Sequence, residues 1–244
     1  MQRFEMGILY FFFYSVLGWV YETILCSVRE RKFVNRGFLY GPYCPIYGFG
    51  ALLVILVLGR VENPIVLFFA STILTCSLEY ATSWVMEELF HARWWDYSNR
   101  KFNINGRICL LGAVAFGTFS VVLLKYLHPA VSAYIEQLSQ ETITILSFSL
   151  FVFMLADTVV TISKFWEFDD IMRETSEFVD EGVSSMMMFY DKANDSYRGT
   201  LNRINSQIRR MVSSFPKLRP SRPNEVVKKL RALMHKESNG DDHS

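Results

Sequence analysis

The chain has 244 residues, 51% of them hydrophobic and 16% aromatic, with 25 basic and 24 acidic side chains. Only 11 charges of each sign precede Lys164, whereas the last 81 residues hold 14 basic and 13 acidic groups. This excludes an ordinary water-soluble domain over the first two thirds, where apolar runs are long enough to cross a bilayer.

In chain order, the first span is expected at residues 6–28. Only Arg3 precedes it, and Trp19, Tyr21 and Glu22 stand where a cleavage region would lie. A permanent helix is therefore expected in place of a removable signal peptide. A basic loop over residues 29–44 follows. The second span, 45–59, is short for a hydrocarbon layer of ~30 Å. A tight connector leads to the third span, 64–86, where Pro64 suits a first helical turn. The next loop carries Trp94, Trp95, Asp96 and Tyr97, then the turn-forming Asn103, Asn105 and Gly106. Spans four and five are expected at 108–127, ended by His128–Pro129, and at 142–163. The fold expected is all-α: a polytopic transmembrane helical bundle of about five spans within residues 1–164, followed by a helical cytoplasmic C-terminal tail.

Loop charge sets the expected orientation. Lys and Arg number 1 before span one, then 4, 1 and 4 in the first three loops, 1 at the fourth and 14 after span five. The excess of positive charge on cytoplasmic loops places the N-terminus outside and the tail inside a bacterial cell membrane. In the tail, Tyr197, Leu201, Ile204, Ile208, Met211 and Phe215 recur at steps of three and four, which lines one helix face. Residues 165–215 are read as an amphipathic helical region. Packing on the cytoplasmic surface, self-association into a homo-oligomer and membrane contact all suit that face. Pro216, Pro220 and Pro223 then break the chain, so 216–244 is a linker, a short helix and a frayed end.

Two segments look duplicated. Gly18-Trp19-Val20-Tyr21-Glu22 matches Ser83-Trp84-Val85-Met86-Glu87 at an offset of 65, and Arg36-x-x-Leu-x-Gly41 matches Arg107-x-x-Leu-x-Gly112. Each copy reads as span, basic loop, span, so this is a parallel repeat of helical hairpins. Within the spans stand three ionisable residues, Glu22, Glu79 and Asp157. A charge in hydrocarbon is costly, so such groups face a bundle interior, a wet cavity or a partner. Each lies about seven residues from its deduced cytoplasmic end, a common depth of roughly 10 Å. One reading is an acidic vestibule for substrate, cation or proton, in which at least one carboxyl keeps its proton. The other is structural, with hydrogen bonds to neighbouring hydroxyls or capping by Arg36 and Arg107.

No phosphate-binding loop, nucleophile elbow or zinc-binding helix motif occurs, so no enzyme activity, cofactor or metal site is expected. A tail of net charge +1 gives no reason to expect nucleic-acid binding. Long motifs remain: Asn35-Arg36-Gly37-Phe38-Leu39-Tyr40-Gly41-Pro42-Tyr43-Cys44-Pro45, then Trp95-Asp96-Tyr97 and Phe102-Asn103-Ile104-Asn105-Gly106-Arg107. With Gly18–Glu22 they resemble the bacterial family labelled putative ABC-transporter type IV permeases, over about Phe4–Phe165. The resemblance implies a permease-like membrane subunit, embedded in the lipid bilayer and partnered by a separate ATP-hydrolysing subunit. So few spans would further imply a homo-oligomer. A membrane scaffold or sensor module, recruiting a partner through its tail helices, is the alternative.

Overall fold

The structure is a computed structural model that describes residues 2–90, 92–182 and 219–220. It is mostly helical. The helices are α1 (Gln2–Glu30), α2 (Pro45–Leu58), α3 (Pro64–Phe90), α4 (Leu110–Val122), α5 (His128–Ile135) and α6 (Gln140–Gly182). A π-helical turn, Leu123–Leu127, joins α4 to α5, so Leu110–Ile135 is one continuous rod. The expected amphipathic face from Tyr197 to Phe215 and the short helix after Pro223 lie outside the described residues.

Local chemistry sets the helix ends. Arg31 adopts φ 53°, a left-handed conformation that terminates α1. Pro45 opens α2, where its missing N–H costs nothing. Asn63 caps α3: its Oδ1 accepts from the backbone N–H groups of Ile65 at 2.9 Å and Val66 at 3.3 Å. That cap explains how so short a connector reverses the chain.

Sequence reasoning ends span four at His128–Pro129, and the structure corrects it. The rod runs through Pro129 to Ile135. Proline in a helix interior lacks a donor and clashes with the carbonyl four residues back. Here the turn just before it is widened, and the His128 N–H reaches the Leu123 carbonyl five residues back. The wider turn accommodates the ring.

Among the described residues four rods are long and apolar enough to cross a membrane: Arg3–Glu30, Pro64–Phe90, Leu110–Ile135 and Gln140–Lys164. Helix α2, with 14 residues, is shorter. In the most apolar stretch of each rod only 17–33% of residues are buried, so most of the apolar surface faces outward, as lipid contact requires.

Helices α1 and α2 pack as one hairpin and α3 and α4 as another; α2 also meets α3, and α6 lies on α1. Close approach depends on glycine. A Cβ at Gly18 would overlap the Tyr47 ring, and one at Gly117 would overlap Thr72 and the Phe68 ring. Tyr14, Ala51, Val54 and Leu123 form the buried centre of the bundle. Leu9, Ile135 and Ile143 seal α1 against α5 and α6.

Candidate functional site

The polar chemistry gathers at one end of the bundle, in the loops closing the two hairpins. In the first loop, the Trp19 indole N–H donates to Asn35 Oδ1 at 2.9 Å. Beside it, Arg36 Nε donates to Glu22 Oε2 at 3.3 Å, and the Tyr47 hydroxyl donates to Glu22 Oε1 at 2.6 Å. Gly37 takes φ 133°, a backbone conformation that only glycine adopts without strain. Pro42 sits at the centre of a three-residue turn closed by the Tyr43 N–H on the Gly41 carbonyl, 2.9 Å.

Asp157 of α6 holds this turn. Its carboxylate accepts from the backbone N–H groups of Tyr40 at 3.0 Å and Gly41 at 2.8 Å. It also accepts from the Tyr43 hydroxyl in a very short bond, and from Thr161 Oγ1 at 3.1 Å. Tyr43 is fully buried and Asp157 is 9% exposed. Four donors on one buried carboxylate satisfy it without a cation. Burial, and then its bond to Asp157, push the Tyr43 phenol well above its ordinary range.

The second loop is built differently. Strands β1 (Ala92–Arg93), β2 (Asn103–Ile104), β3 (Ile108–Cys109) and β4 (Arg219–Pro220) form two small antiparallel pairs, β1 with β4 and β2 with β3. Asn105 and Gly106 turn the second pair at φ 52° and 69°. The Arg107 N–H donates to the Ile104 carbonyl at 3.0 Å, so Asn105 and Gly106 are the central residues of a turn with both φ values positive, which Asn-Gly adopts most easily, and Ile104 pairs with Ile108 beyond it. Asp96 Oδ1 accepts from the Ser98 N–H at 2.9 Å and Oγ at 2.5 Å, which shapes the approach to the strands. The Trp95 indole donates to the Arg107 carbonyl at 3.0 Å, and the Tyr97 N–H donates to the Gly106 carbonyl at 2.8 Å.

Arg107 then turns back onto α3. It meets Glu87 Oε2 at 2.6 Å, donates to Ser83 Oγ at 3.1 Å and lies over the Tyr80 ring at 5.6 Å. Arg93 pairs with the same carboxylate at 3.2 Å. The expected partnership of Arg107 with the span acids is corrected here. Arg107 serves Glu87, near the end of the helix, where the side chain emerges within reach of a loop arginine. In the repeat, Glu87 stands to Arg107 as Glu22 stands to Arg36.

The three span acids take their bonds from different groups. Glu79 is 6% exposed and receives the Tyr97 hydroxyl on Oε1 at 3.3 Å. Its Oε2 is buried without a hydrogen-bond partner among the described residues. Burial above all pushes the Tyr97 phenol far above its ordinary range. Asp157 instead spends its bonds on the first loop. Sequence reasoning misses Tyr43, Tyr47 and Tyr97, the hydroxyls serving the three acids, because tyrosines in a chain holding 12 carry no positional signal.

Among the described residues no group of three or more His, Cys, Asp or Glu side chains is placed to hold a metal ion. A shallow depression of about 310 Å³, lined by Pro64, Ile65, Phe68, Thr118, Val121 and Val122, is apolar. It lies at the opposite end of α3 from Glu87 and includes none of the acids. No curated protein matches the chain, and no solved structure matches it. One family match covers residues 9–162, a stretch that includes both hairpins, both Glu–Arg pairs and Asp157. Outward-facing apolar rods closed by these two loops are therefore a membrane protein's architecture that fits a transporter component, and the chain belongs to the family described as putative ABC-transporter type IV.

Proposed function

We propose that this chain is the permease-like membrane subunit of a bacterial transporter, working with a separate ATP-hydrolysing subunit and catalysing no chemistry of its own. Family membership carries the reading. Its layout would be residues 1–164 in the cell membrane with the N-terminus outside, five crossings including the short α2, and residues from 165 onward in the cytoplasm. The loop charge excess supports that orientation. The two braced loops would then lie on the cytoplasmic face, where an ATP-hydrolysing partner docks. Substrate contact would fall to Glu22 and Glu79, since Asp157 is fully engaged in holding the first loop.

Purification of the tagged full-length chain from native membranes in mild detergent, followed by mass spectrometry and an ATPase assay, tests the reading. A stoichiometric ATP-hydrolysing protein is the expected companion. A second reading, a membrane scaffold or sensor module, is favoured by the use of Asp157, Glu22 and Glu87 as structural ties. A stoichiometric partner without ATPase activity would overturn the permease reading and support the scaffold.

A further inference from the structure

We propose that Glu79 is a proton-binding site, occupied when the second loop is docked and coupled to that loop through Tyr97. The proposal does not depend on what, if anything, the chain transports. It begins with an incomplete bond count. A carboxylate presents two oxygens with about four acceptor positions. Glu79 is 6% exposed, yet receives one long bond, 3.3 Å, on Oε1 and none on Oε2 among the described residues. An anion left this way in a buried site is far more costly than a neutral acid.

The neighbours do not neutralise it. From the second loop comes the Tyr97 hydroxyl, which carries no charge. Its own helix offers Cys76 and, next in sequence, Tyr80 beneath Arg107. From α1 comes Glu22, which adds negative charge and is bonded to Arg36 and to Tyr47 of α2. Arg107 and Arg93 are both committed to Glu87. A metal ion would need several oxygen ligands, and no group of three His, Cys, Asp or Glu side chains is assembled here. A proton needs one. It sits on Oε2, leaving Oε1 as the carbonyl oxygen that accepts from Tyr97.

The repeat points the same way. Position 14 of the first hairpin corresponds to position 79 at the offset of 65, and there the chain places Tyr14. Tyr14 is 4% exposed, and its neutral hydroxyl bonds His128 Nδ1 at 3.0 Å. The first hairpin therefore fills this place with a neutral hydroxyl, and a protonated carboxyl is its nearest equivalent in the second.

The coupling follows from the bonds around Tyr97. Its hydroxyl touches Glu79, while its backbone N–H holds Gly106, the residue before Arg107. Loss of the proton leaves an anion that draws in water or displaces Tyr97, and either change loosens the hairpin carrying Arg107.

The test uses the full-length protein in lipid nanodiscs. Infrared difference spectra of wild type against Glu79→Gln, across mildly acidic to mildly alkaline pH, read the carbonyl band of a buried protonated carboxylic acid. The expected result is a wild-type band absent from the variant and lost as pH rises. Hydrogen exchange of the 95–109 backbone should, relative to Glu79→Gln at each pH, lose protection over the same interval. Tyr97→Phe, which removes the donor favouring the anion, should move the band's midpoint to higher pH. Absence of the band at every pH would overturn the proposal. So would a band present only when sodium and potassium are replaced by a bulky organic cation, which assigns the site to a metal cation. Loop protection that stays independent of pH relative to Glu79→Gln would overturn the coupling.

Discussion

In the first hairpin Glu22 meets Arg36 at 3.3 Å, and in the second Glu87 meets Arg107 at 2.6 Å. The pairs are equivalent by sequence, but the surroundings are not. The first loop is tied to a distant helix through Asp157, whereas the second carries its own Asn-Gly hairpin, Trp95 and Asp96 and also pairs β1 with the distant β4. The side chains of the first pair are 16% and 25% exposed, those of the second 10% and 16%. Two copies of one motif thus reach the same closure by different means: the first loop hangs on one buried carboxylate from a distant helix, the second on a distant strand pairing and local turn chemistry together.

The largest consequence should appear at Asp157. Asp157→Ala strands two backbone donors and two hydroxyls in a buried site, so a loss of ~3–5 kcal/mol is expected, with Asp157→Asn intermediate. Unfolding in detergent, followed by circular dichroism, measures it. Wild-type stability in Asp157→Ala would show that the first loop does not depend on that carboxylate.

The ion pairs themselves come next. A double-mutant cycle on Glu87 and Arg107 should return a coupling of about 2 kcal/mol, and one on Glu22 and Arg36 about 1 kcal/mol or less. Shorter distance and deeper burial set that order. Equal couplings would mean that burial does not separate the copies.

Glycine contacts sharpen the comparison further. Gly18→Ala forces a methyl into the Tyr47 ring and should cost about 1–2 kcal/mol. Gly112→Ala, whose added Cβ would stand 3.7 Å from Cys109 Sγ, should be close to neutral. Reversal of that ranking in thermal melts would count against the close α1–α2 packing.

The smallest effect lies at alkaline pH. Burial first, then the neighbouring carboxylates, raise the phenols of Tyr43 in the first loop and Tyr97 in the second. The folded state therefore keeps protons that the unfolded chain releases above the ordinary value of 10.0. Stability is complete below that pH and falls as pH rises through it toward the raised values, by under about 1 kcal/mol per group at first. Tyr97→Phe and Tyr43→Phe should each flatten this alkaline limb. A limb unchanged in both variants would refute the assignment.

Much of the fold was legible beforehand because its causes are local. Apolar runs mark where helices lie, Pro45 and Pro64 open two of them, and Asn105-Gly106 announces its turn. Pro129 misled for the same reason: a rule about single residues predicts a helix end, but a widened turn one step earlier absorbs the ring. The site was half legible. Glu22 and Arg36 meet as the repeat suggests, while Arg107 turns to Glu87 instead of Glu79.

By itself the sequence determined the apolar rods, the prolines that open two of them, the basic loops and the duplication of the two hairpins. Such features depend on neighbours within a few turns, where spacing and propensity act directly. Tertiary structure alone decided that Asp157 would bind Tyr40 and Gly41, 117 and 116 residues away, and that Glu79, bonded by Tyr97 on one oxygen, would have no partner for the other among the described residues. A carboxylate in a span must find donors or a proton, but which it finds depends on the side chains that helix packing brings within about 3 Å, and no spacing along the chain encodes that distance.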